Sequence, residues 1–149
     1  MKNSFNKFVF TVVLISFQFT YQANATDRYV DNAANGANNG ASWTDAWQSF
    51  ADIQWNSIQP GDIIYISGGS TEKTYYEALS IGASGNQGNP ITIKVGQDSG
   101  HDGEVIISNK NLVEDQGIGI RIILDTYILI DGNVGGDTSL STITNFKVM

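Results

Sequence analysis

The chain contains no cysteine in its 149 residues, so no disulfide can staple it and the fold must rest on a buried core. Basic residues are scarce. Eight Lys and Arg face fifteen Asp and Glu, a formal net charge of −7, which argues against nucleic acid and anionic membranes as partners. There is one histidine, His101. A Cys/His metal motif, a phosphate-cradling glycine loop and a nucleophile elbow are all lacking. Beyond residue 25 no apolar run is long enough to cross a bilayer.

What is present begins with an export signature. Lys2 and Lys7 make a basic start, Phe8 to Phe17 form a short apolar core, and Ala23-Asn24-Ala25 supplies a small-residue cleavage pattern. Together they predict a signal peptide over 1–25. The protein is expected to be secreted, extracellular or at the cell surface, with the periplasm as an alternative, and without membrane insertion once the leader is removed. Losing Lys2 and Lys7 leaves the remainder more acidic still. An acidic protein that handles an acidic polysaccharide then needs a local basic cleft or a bound cation. The length remaining suits one domain.

Two segments follow. Residues 26–61 hold a short strand, Arg28-Tyr29-Val30, an Asn/Gly-rich loop suited to left-handed backbone, and a helical pattern. Ser42 and Asp45 resemble a capping box. Trp43, Trp47, Phe50 and Ile53 recur at helical spacing, and Pro60-Gly61 ends the run. The stripe is expected to face the core. Trp55 lies off it and is the candidate for stacking a sugar.

Over 62–149 the period changes to two. Ile63-Ile64-Tyr65-Ile66, Ile91-Thr92-Ile93-Lys94-Val95, Val105-Ile106-Ile107, Ile120-Arg121-Ile122-Ile123 and Tyr127-Ile128-Leu129-Ile130 read as short strands between Gly/Asn/Asp turns. Alternation buries Ile64 and Ile66, Leu79 and Ile81, Ile91, Ile93 and Val95, Val105 and Ile107, Ile120 and Ile122, and Ile128 and Ile130. Each buried aliphatic contributes roughly 1.5–3 kcal/mol, enough in sum for a core. Pattern alone leaves two architectures open, an antiparallel sandwich and a parallel solenoid.

Tyr29-Val30-Asp31-Asn32-Ala33-Ala34-Asn35-Gly36 with Ser42-Trp43 and Ala46-Trp47 resembles the opening of secreted bacterial proteins of the pectate-lyase-like superfamily. Ile58-Gln59-Pro60-Gly61-Asp62-Ile63-Ile64-Tyr65-Ile66-Ser67-Gly68-Gly69, Gly88-Asn89-Pro90-Ile91-Thr92-Ile93 and Ile128-Leu129-Ile130-Asp131-Gly132 extend the likeness over roughly 28–133. The resemblance implies an all-β fold: a right-handed parallel β-helix (solenoid) with a short N-terminal capping α-helix, cut off after its first coils. Further coils of the same protein beyond Met149 would then be its expected partner.

It also implies a carbohydrate-active protein. In polysaccharide lyases a cation or Lys/Arg neutralises a uronate and a base removes the adjacent proton in β-elimination. The catalytic candidates are Lys94 and Arg121, which alternation turns outward, and His101. Whether the full-length protein is an enzyme stays open, and this part is not expected to be active alone. Calcium is the candidate cofactor. Asp98, Asp102 and Glu104 form one oxygen-rich cluster, and Asp131, Asn133 and Asp137 a second. The substrate class implied is an acidic polysaccharide. The alternatives are a non-catalytic surface or adhesin-type β-helix that binds glycan, and a small sandwich lectin.

Overall fold

The computed structural model describes residues 24–108, 119–132 and the strand 146–148. Most of the leader, and Asn133 and Asp137 of the second acidic cluster, lie outside these residues. The described residues form strands β1 (Asp27–Val30), β2 (Ile63–Ile66), β3 (Glu72–Tyr75), β4 (Leu79–Ser80), β5 (Ile91–Val95), β6 (Glu104–Ile107), β7 (Ile120–Arg121), β8 (Ile128–Asp131) and β9 (Phe146–Val148). They make an all-β structure of three sheets, ordered β1-β2-β5-β8, β3-β6-β9 and β4-β7.

Every pairing between these strands is parallel, which an antiparallel sandwich does not permit. From β2 onward the chain visits the three sheets in fixed rotation, each strand adding to the outer edge of its own sheet. Such connections leave like residues in register. Ile64, Ile93 and Ile130 stand in one row, and Val30, Ile66 and Val95 in another. These rows face inward, and with Leu79, Ile91, Val105 and Ile107 they form one cluster whose members from β1 to β6 are almost fully buried. Ile128 and Ile130 pack on its edge half-buried, as does Ile120. Ile122, expected inside, is 46% exposed because β7 ends at Arg121.

The capping α-helix does not form. Among the described residues of this segment there are only two one-turn 3-10 helices, Phe50–Asp52 and Trp55–Ser57. The reason lies upstream. Asn38 and Gly40 adopt positive φ of 54° and 73°, turning the chain back along β1. Trp47 then donates its N–H to Tyr29 O (2.9 Å) and accepts from Asp31 N (2.9 Å), pairing as a bridge with Val30. Sheet-like pairing replaces the helical ladder. The Ser42–Asp45 contact exists, with Asp45 N–H donating to Ser42 Oγ (3.1 Å), but it closes a turn. Trp47, Phe50 and Ile53 are buried nonetheless, and Phe50 stacks on Tyr75. The apolar spacing is satisfied by a folded-back segment covering the end of the core.

Candidate functional site

Outward rows are set by the same register that fills the core. Across the four-stranded sheet one outward row reads Tyr29, Tyr65, Lys94, Asp131 and its neighbour reads Asp27, Ile63, Thr92, Leu129. Tyr29 and Tyr65 stack with ring centroids 5.8 Å apart. With Asp27 and the Gln97–Asp98 turn after β5 they line an open pocket of about 160 Å³. Burial raises both phenols above the usual tyrosine range, and the charges of Asp27 and Asp98 add to this, so the hydroxyls are firm donors.

A second group adjoins the pocket where the sheet's strands end. Asp31, Ser67 and His101 follow β1, β2 and β5, and Lys73 arrives from β3. The Asp31 carboxylate is buried. It pairs with Lys73 Nζ through Oδ1 and approaches His101 Nδ1 through Oδ2 at 3.3 Å, and Ala33 N–H donates to it at 2.8 Å. Burial pushes its pKa up, but the Lys73 and Ala33 hydrogen bonds and the Lys73 charge outweigh this and hold it below the ordinary carboxylate value. Ser67 Oγ lies 2.9 Å from His101 Nδ1. The three side chains do not form a nucleophilic triad, because Ser67 and Asp31 both meet the same ring nitrogen and Ser67 is fully buried.

Trp43 joins the two groups. Its indole stacks on the His101 ring at 3.9 Å and 4°, meets Tyr29 edge-on at 4.7 Å, and donates from Nε1 to Asp98 Oδ2 at 2.7 Å. Trp43 is therefore half-buried beside the pocket, not sealed in the core. Trp55 is half-buried against the core, where its indole covers Gly82; a Cβ there would come within 2.8 Å of the ring.

The remaining candidates are dispersed. Lys94 is outward as expected and pairs with Asp131 at 3.1 Å. Arg121 lies on β7, half-buried, in the two-stranded sheet. Asp102 accepts from Gly100 N–H (3.2 Å) within its turn, and Glu104 begins β6. No group of three or more His, Asp or Glu side chains able to hold a metal ion occurs among the described residues. No helix among them is long and apolar enough to cross a membrane.

Asp31, Ser67, Lys73 and the Tyr29–Tyr65 pair were not singled out from sequence. Alternation turns both tyrosines outward, which is the signal that could have found them. Nothing in sequence brings Lys73 to Asp31. No protein-family model matches this chain, and no curated protein matches it.

Proposed function

We propose that this chain forms an exported right-handed parallel β-helix that binds polysaccharide at the Tyr29–Tyr65 pocket. The rotation of strands among three parallel sheets supports the architecture. Crossovers between parallel strands are almost always right-handed, which supports the hand. The observation that carries the function is the pair of stacked, outward tyrosines flanked by Asp27, Asp98 and Gln97. Aromatic faces cover the apolar face of a sugar ring, while carboxylates take its hydroxyls.

β-Elimination needs an unpaired cation and a base facing one substrate carboxylate. Here Lys94 is matched by Asp131 and Lys73 by Asp31. The binding role is the one the stacked tyrosines support. The test is retention on insoluble polysaccharides, followed by calorimetry with soluble fragments. Tyr65→Ala is expected to weaken binding about tenfold with the fold intact, because Tyr65 stands on the outer face. Unchanged affinity in Tyr65→Ala, or release of an ultraviolet-absorbing unsaturated product, would move the function elsewhere.

A further inference from the structure

The pocket wall is tied to the buried ion pair through side chains that fix one another in turn. Asp31 gathers donors: the Lys73 ammonium, the Ala33 N–H and the Ser67 hydroxyl. Ser67 Oγ accepts from Gly69 N–H at 3.2 Å and from Lys73 Nζ at 3.5 Å, and it lies 2.9 Å from His101 Nδ1. Asp31 Oδ2 lies 3.3 Å from the same nitrogen, where a hydrogen on Nδ1 keeps two lone pairs from facing each other. The contacts of Asp31 Oδ2 and Ser67 Oγ with one ring nitrogen fix the ring plane of His101. Its backbone N–H also donates to Asp98 O at 2.9 Å, closing the turn that carries both residues.

Trp43 lies flat on that ring, and its N–H holds Asp98 by Oδ2. Asp98 Oδ1 is left with no hydrogen-bond partner among the described residues, at a pocket whose lining includes Asp27 and no cation. We propose that His101 is a positioning residue for the sugar site: by fixing Trp43 it aims the open oxygen of Asp98 at the hydroxyls of an uncharged sugar stacked on Tyr29 and Tyr65. The proposal rests on the glycan-binding reading above. It narrows the ligand to a neutral polysaccharide, because a uronate would meet Asp27 and Asp98 at close range.

The experiment titrates the purified chain with a neutral glucan hexasaccharide and a galacturonan hexasaccharide by calorimetry. Wild type, His101→Ala and His101→Phe are compared, each checked for cooperative melting. The near-ultraviolet circular dichroism of the indoles is recorded alongside, with Trp43→Phe identifying the band from Trp43. The glucan is expected to bind in preference to the galacturonan. His101→Ala should weaken glucan binding about two- to tenfold, the worth of one aromatic pair, and collapse the Trp43 band. His101→Phe, which keeps ring on ring, should restore most of both.

Wild-type affinity and an unchanged band in His101→Ala would overturn the positioning role, and so would a Phe variant as weak as the Ala variant. Preference for the galacturonan would overturn the neutral ligand. Failure of the wild type to bind either sugar would overturn the glycan reading itself, and the dichroism would still report whether His101 holds Trp43.

Discussion

Asp31 is the residue on which most of the local chemistry turns. Its carboxylate is buried yet ionised, and its pKa is held below the ordinary 3.8. Between the folded and the unfolded value the unfolded chain binds the proton more readily, so stability rises with pH there. The contribution of Asp31 is fully present above about pH 3.8 and is lost as the pH falls through its lower folded value. Asp31→Asn is expected to lose about 1.5–3 kcal/mol at neutral pH, the worth of hydrogen bonds to a charged group. Urea midpoints measured from pH 7 to 2 should fall less steeply below pH 3.8 in the variant than in wild type. Parallel curves would assign the acid limb to other groups. The sequence marks none of this. Asp31 stands in a run of Asn, Ala and Gly that reads as loop, and the side chains it meets, Ser67, Lys73 and His101, lie 36 to 70 positions away along the chain.

At the scale of elements, period-two alternation located the strands well. Ile64 and Ile66, Ile91, Ile93 and Val95, and Val105 and Ile107 are buried as their spacing requires. β3 escaped notice because Glu72, Lys73 and Thr74 give it no apolar alternation. Its inward anchor, Tyr75, is held by donating its hydroxyl to Ser67 O at 2.9 Å. The helical stripe misled because burial fixes which residues point inward but not the backbone that delivers them. Trp43, Trp47, Phe50 and Ile53 could satisfy the spacing with a helix or with a chain folded back on β1, and the positive φ at Asn38 and Gly40 selects the second.

Turns carry their own constraint. Gly68 lies against the backbone of Gly103, and a Cβ on either residue would strike the other turn. The turns are also joined by hydrogen bonds, Gly68 N–H donating to His101 O (2.9 Å) and Gly103 N–H to Gly69 O (2.8 Å). Gly68→Ala is expected to cost about 1–3 kcal/mol through this overpacking, read as a lower melting temperature. A melting temperature equal to wild type would mean that the two turns can separate freely.

Across the described residues as a whole, the fold-back covers β1, while β7 and β8 are the outermost strands of their sheets. The fold-back of 38–48 pairs with β1, whereas β7 and β8 each have one strand neighbour among the described residues. Ile122, Ile123, Leu124, Tyr127 and Leu129, on and between β7 and β8, are exposed. Unpaired strand edges with apolar side chains associate. Leu129→Lys is expected to reduce concentration-dependent assembly in light scattering without lowering the melting temperature, since Leu129 faces outward from β8. Assembly that persists unchanged would place the contact on another surface.

The in-register outward row has a further meaning for any long ligand. Strands in a sheet are spaced about 4.7–4.9 Å apart, a step comparable to one pyranose unit, and Tyr29 and Tyr65 occupy consecutive steps. A polymer laid across the strands would find the protein graduated like a ruler. The two rings would be the marks and the Lys94–Asp131 pair the end of the scale, so the spacing of the strands, not the depth of a cavity, would set the register in which a chain is gripped.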